Sequence, residues 1–105
     1  MSSDIAAPSE AVLSSIVPTT TISRSTSILA SEVNGDVFMI NIDGGRYFSL
    51  DDIGSDVWRR LDRPCSFADL TAALAADYDA DEATIAADLR GLLARMAESD
   101  IVKLT

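Results

Sequence analysis

Carboxylates are the one group in this chain that is plentiful and closely spaced enough to suggest chemistry. Asp77, Asp79 and Asp81 fall at alternate positions, and Asp51 and Asp52 are adjacent. An alternating triplet of this kind opens a calcium loop, which ligates through its first, third and fifth positions. Such a loop also needs glycine at its sixth position and glutamate at its twelfth. Here those positions are Glu82 and Asp88, so helix capping and solvation account better for the run. Acid–base catalysis lacks its commonest base, because the chain has no histidine. Cys65, the single cysteine, has no histidine to activate it and reads as a small residue beside a turn. Zinc sites of the usual Cys/His types and intramolecular disulfides are excluded on the same counts. Ser55 follows Gly54 at a helix start, where a small acidic carrier protein would bear a prosthetic arm. No nucleophile lies near an identifiable base. The chain therefore does not read as an enzyme, and it implies neither a cofactor nor a metal.

Charge narrows the partners. A formal net charge of −9 and a pI of about 4.1 oppose binding to a phosphate backbone. Before residue 50 there are 5 acidic and 2 basic residues, and after it 12 and 6, so no basic arm hides in the average. At 105 residues the chain is one small domain. The apolar residues Val12, Leu13, Ile16 and Val17 form too short a patch to span a membrane and lack a positive flank. A cytoplasmic protein is expected, with no nucleic-acid or membrane partner.

The elements follow from periodicity. Residues 1–20, rich in Ser, Thr, Ala and Pro, suit a flexible or loosely docked tail ahead of a domain over 21–105. Ser27 to Val33 leans toward strand, and Asn34-Gly35 is a strong hairpin signal because a type I′ turn needs two positive φ angles. Asp36 to Ile42 is a nearly continuous apolar run, expected to be buried between two neighbours. Asp43-Gly44-Gly45 turns the chain into a third strand, Arg46 to Leu50. From Asp52 the period changes to about 3.6, with Ile53, Val57, Trp58 and Leu61 on one face. Asp62-Arg63-Pro64 ends that first helix. Ser66, with Asp69 three residues on, caps a second helix striped by Phe67, Leu70, Leu74 and Tyr78. Asp81 caps a third, striped by Ile85, Leu89, Leu92, Leu93 and Met96, and Ile101 to Leu104 folds back on the core. The sum is an α+β domain: a three-stranded antiparallel sheet, then three helices, similar to a winged helix-turn-helix with the sheet as wing.

Within that frame the third strand is the best binding element. Alternation places Phe48 and Leu50 on one face and Tyr47 and Ser49 on the other. The strand has one neighbour, so its outer edge is free unless the third helix or the tail covers it. A free edge accepts an added strand through backbone hydrogen bonds, while side-chain pockets give specificity. Ile85, Asp88, Leu92 and Arg95 on the third helix could form the far wall of a groove beside it; a solvated rim is the plainer reading of Asp88 and Arg95.

Gly45-Arg46-Tyr47-Phe48-Ser49-Leu50-Asp51, Gly54, Trp58, Ser66 to Leu70, Tyr78-Asp79, Asp88-Leu89, Leu92-Leu93 and Ile101-Val102 together resemble the PqqD-like family, over about residues 27–104. These are the recognition elements of ribosomally made, post-translationally modified peptides (RiPPs). The resemblance implies a winged helix-turn-helix-like fold that does not bind DNA. It implies that a precursor's leader segment adds as a strand to Arg46, Tyr47, Phe48, Ser49, Leu50 and Asp51, facing Ile85, Asp88, Leu92 and Arg95. The stand-alone length looks most like the discrete proteins of lasso-peptide pathways, whose implied partners are a leader peptidase and a macrocyclase. The pyrroloquinoline quinone pathway, with a radical enzyme, is the nearest alternative. The long tail departs from the minimal family domain and is expected to be able to cover the free edge. An acidic helix-turn-helix regulator and a carrier protein modified at Ser55 stand further back.

Overall fold

The computed structural model describes residues 10–105. A short helix (α1, Glu10–Ser15) and a strand (β1, Thr21–Arg24) precede a meander of β2 (Ile28–Val33), β3 (Asp36–Asn41) and β4 (Arg46–Leu50). Then come α2 (Asp52–Arg60), β5 (Cys65–Ser66), α3 (Phe67–Asp77), α4 (Glu82–Glu98) and β6 (Val102–Leu104). The expected meander and three helices are present, in an α+β arrangement with a second small sheet.

The turns that shape the meander behave as their residues dictate. Asn34 and Gly35 have φ of 54° and 88°, the paired positive angles of the hairpin turn. Gly45, at φ 65°, closes the second turn, and its N–H donates to the Asn41 carbonyl. The register runs from Ile28↔Asn41 to Val33↔Asp36 and from Asn41↔Arg46 to Val37↔Leu50. Val37, Met39, Phe48 and Leu50 point into the core. The expectation that β3 is buried on both sides is overturned: Phe38 is 47% and Ile42 55% exposed. β3 has a strand on each side in the plane of the sheet, but the core covers only one face of it.

The helices start where their caps stand. The Asp51 carboxylate accepts from the Gly54 N–H, Ser66 Oγ from Asp69 N–H, and Asp81 from Thr84 N–H. Each cap satisfies a backbone donor that the helix itself leaves free. Gly54 sits where β4 turns directly into α2. A Cβ there would lie 3.1 Å from Asp51 Oδ1 and 3.3 Å from Leu50 Cβ, so glycine lets the helix start against the strand. One residue on, Ser55 is 1% exposed. Its hydroxyl donates to the Leu50 carbonyl at 3.2 Å and accepts from the Val37 N–H at 3.3 Å, fastening α2 to both strands. This removes the basis for a prosthetic arm at Ser55.

The sequence reading missed the second sheet, in which β1 runs between β5 and β6. Ile22 pairs with Cys65 on one side and Leu104 on the other, so the apolar end that was expected to fold back does so as a strand. Arg24 ties this sheet to α2: its guanidinium lies 4.4 Å from the Trp58 ring centre and donates to the Trp58 carbonyl. The expected tail differs too. Residues 1–9 lie outside the described residues, but Ile16 is 2% exposed, in the core. The N–H groups of Phe67 and Ala68 donate to Thr20 and Pro18, and Arg90 donates to the Ile16 carbonyl. This segment is thus engaged by α3 and α4. Among the described residues no helix is long and apolar enough to cross a membrane.

Replacing Ser55 with alanine removes the two hydrogen bonds by which the buried hydroxyl joins α2 to the Leu50 carbonyl and the Val37 N–H. The cost is about 1–3 kcal/mol of stability, read by urea denaturation of a still-folded variant. An unchanged midpoint would show that the hydroxyl does not fasten the junction.

Candidate functional site

The free edge of β4 can be resolved to particular backbone groups. The Ile42 N–H donates to Ser27 on the β2 side, so by alternation Asn41, Met39 and Val37 direct their backbone groups toward β4. Their partners Arg46, Phe48 and Leu50 therefore face β3. The N–H and C=O groups of Tyr47 and Ser49 face the open side. Among the described residues no strand pairs with that side of β4. Side chains divide the other way: Phe48 and Leu50 are core, while Tyr47 is 73% exposed. The edge offers backbone hydrogen bonds, with apolar support beneath. Arg46 begins the strand, its guanidinium 5.2 Å from the Phe48 ring centre.

β2 is the other outer strand of this sheet. Beside the β4 end lies a cavity of about 440 Å³, between the β4–α2 junction and helices α3 and α4, about twice the 220 Å³ of the one lined by Ala30, Ser31 and Glu32 of β2. Leu74 and Leu89 form its buried floor, Ile53, Ile85 and Leu92 its apolar walls, and Asp51, Asp88 and Arg95 carry its charges. All four residues expected on the helix side of a groove, Ile85, Asp88, Leu92 and Arg95, are brought together here with Asp51. Residues 46–50 are not among the lining, so strand and cavity are adjacent parts of the candidate site. Ile53 and Tyr78, expected in helical core stripes, are instead 46% and 44% exposed and line this cavity. The periodicity identified their face correctly, but that face is covered only in part. Tyr78 carried the signal that could have marked it, a polar tip at the end of an apolar stripe.

Polar groups brace one wall of the cavity. Tyr78 Oη donates to Asp56, and Arg60 holds the same carboxylate through Nε at 3.0 Å and also reaches Asp77. The end of α3 is thereby tied to α2. Burial works against ionisation of Asp56, but the hydrogen bonds from Tyr78 and Arg60 and the positive charge of Arg60 prevail and hold its carboxyl below the ordinary range. Burial, then the Asp69 charge, push the Cys65 thiol up, which leaves little thiolate for nucleophilic chemistry. No group of metal-ligating side chains among the described residues is arranged to hold an ion.

Two solved structures share the fold. TbiB1, solved in complex with the TbiA(beta) leader peptide, matches with a TM-score of 0.72 and 26% identity, over 77% of this chain and 94% of that one. The PqqD truncation of Methylobacterium extorquens PqqCD, a functional, stand-alone RiPP recognition element, matches with a TM-score of 0.63 and 25% identity, over 79% and 88%. The class is thus that of the PqqD-like recognition elements. Residues 36–102 match the family described as coenzyme PQQ synthesis protein D, and the chain belongs to that PqqD family. No curated protein matches the chain.

The brace gives a pH signature. A carboxyl held low in the folded state contributes stability that is present above its unfolded pKa, about 3.9, and lost as the pH falls through the folded value. Tyr78→Phe removes one of the stabilising hydrogen bonds. By carbon-13 NMR the Asp56 titration should rise toward that of a free aspartate, and the loss of stability between pH 7 and pH 3 should shrink by a fraction of a kcal/mol to about 1 kcal/mol. An unmoved Asp56 titration would show that the phenol does not brace it.

Proposed function

We propose that this protein binds the leader segment of a ribosomally made precursor peptide as a strand added to β4 and presents the precursor to its modifying enzymes. The observation that carries the reading is the open backbone edge of Tyr47 and Ser49 beside the apolar cavity walled by α4. The likeness to TbiB1, solved with a leader peptide, and membership of the PqqD family support it. The recognition domain is residues 21–105, with residues 10–20 packed onto it. Arg46, Tyr47, Phe48, Ser49, Leu50 and Asp51 form the strand side. Ile85, Asp88, Leu92 and Arg95 form the helix side.

The mechanism is positional. An added antiparallel strand would hydrogen-bond through its backbone to Tyr47 and Ser49, which fixes register without reading sequence. Alternate leader side chains would then point toward the cavity, where Ile85 and Leu92 take an apolar group. Asp51, Asp88 and Arg95 favour particular polar neighbours around it. Backbone bonds of this kind contribute about 0.5–1.5 kcal/mol each, so the cavity must supply much of the affinity. Catalysis belongs to the partners. In the lasso-peptide reading these are a leader peptidase and a macrocyclase. The family description and the likeness to the Methylobacterium protein favour a second pathway, pyrroloquinoline quinone synthesis with a radical enzyme.

Ser49→Pro removes an edge N–H at a position where an edge strand tolerates proline. Titration with a fluorescently labelled precursor leader peptide should show binding about tenfold weaker, with circular dichroism unchanged. Leu92→Asp should weaken it at least as much by placing a charge in the cavity. Equal affinity for the folded Ser49→Pro variant would rule out strand addition at β4.

A further inference from the structure

The core covers one face of the β2–β3–β4 sheet, and among the described residues the other face is apolar and exposed. Leu29, Ile40 and Tyr47 stand in one cross-strand row, and Ser31, Phe38 and Ser49 in the next. Val33 and Ile42 extend the patch along β2 and past the end of β3. Leu29 is 60% exposed and Tyr47 73%, although apolar and aromatic side chains of this size are usually buried. A contiguous apolar patch on a small domain marks a contact with another macromolecule.

We propose that this outer face is the docking surface for the enzyme that processes the bound peptide, a protein presenting an apolar patch ringed by basic side chains. The proposal rests on leader binding at β4. Two observations select this occupant. The first is charge: Asp36, paired with Val33, and Asp43, next to Ile42, are exposed at the two ends of the patch on a chain of net charge −9. A second copy docked face to face would bring like charges together, whereas a basic surround is attracted. The second is continuity with the peptide edge. Tyr47 offers its backbone to the open side of β4 while its ring stands on the outer face. A strand added there would widen the same face by one strand and display its own outward side chains on it. An enzyme seated on the patch would thus touch sheet and peptide together, and would distinguish the loaded protein from the empty one.

Phe38→Asp and Leu29→Ser test this face without touching the residues assigned to peptide binding. Each variant should keep its unfolding midpoint and bind the fluorescent leader within about twofold of the unmodified chain. Binding of the purified enzyme that modifies the same precursor, measured by calorimetry on the leader-loaded protein, should weaken at least tenfold. The unmodified protein should bind that enzyme more tightly with leader than without. Variants that hold leader and enzyme as well as the unmodified chain overturn the docking face and leave the leader site intact. An unmodified chain that binds no leader overturns the functional reading itself. A dimer in sedimentation that Phe38→Asp separates would give the face to a second copy and overturn the proposal.

Discussion

The structure depends on the junction in which β4 becomes α2 without a loop. Three consecutive demands meet there. The Asp51 carboxylate must reach the Gly54 N–H, position 54 leaves a Cβ only a tight fit against Asp51 and Leu50, and the Ser55 hydroxyl must sit between the Leu50 carbonyl and the Val37 N–H. Together they set the angle at which the helices leave the sheet. That angle decides whether a cavity exists beside β4, because Asp51 and Ile53 on the junction form one side of it and α4 the other. Burial of the apolar core, to which Phe48, Leu50, Val57 and Leu93 belong, supplies most of the cohesion of the domain. The junction supplies direction, which non-directional apolar burial cannot.

The division of labour along β4 follows from the pleat. Inward side chains serve the core, outward side chains meet solvent, and the backbone groups of Tyr47 and Ser49 lie in the plane between. A strand can therefore anchor the fold and present a binding edge without compromise. Such an edge invites uncontrolled pairing with other strands. Here the strand is short, Arg46 to Leu50, and a charged residue stands at each end, at Arg46 and Asp51. These features limit non-specific pairing while leaving the middle accessible.

Local rules made much of this legible. Asn34-Gly35, the caps at Asp51, Ser66 and Asp81, and the change of period after Asp52 each act within a few residues, so the sequence displays them directly. The five α4 residues that line the cavity, Ile85, Asp88, Leu89, Leu92 and Arg95, were legible because they share a helical face, and the α+β class because the elements are well separated along the chain. The second sheet was not legible. β1, β5 and β6 have four, two and three residues, too few to show a period, and each exists because distant chain segments meet. Ile16 was hidden for the same reason: in a stretch rich in Ser, Thr and Pro it is buried in a core built from distant segments, and its carbonyl accepts from Arg90, far along the chain. The open outer face was misjudged because an apolar run does not disclose whether anything lies above it.

The small sheet also sets the order in which the molecule can assemble. The β2–β3–β4 meander needs only near neighbours and can pair early. β1 must wait, since one partner, Cys65–Ser66, lies some forty residues on and the other, Val102–Leu104, at the far end of the described chain. Contacts between such distant segments form slowly, because the intervening chain has to be closed before they gain anything. On the ribosome the edge of β4 would emerge before β6 is free to seal the domain. The protein therefore passes through an interval in which its most adhesive strand is formed and its clasp is still open.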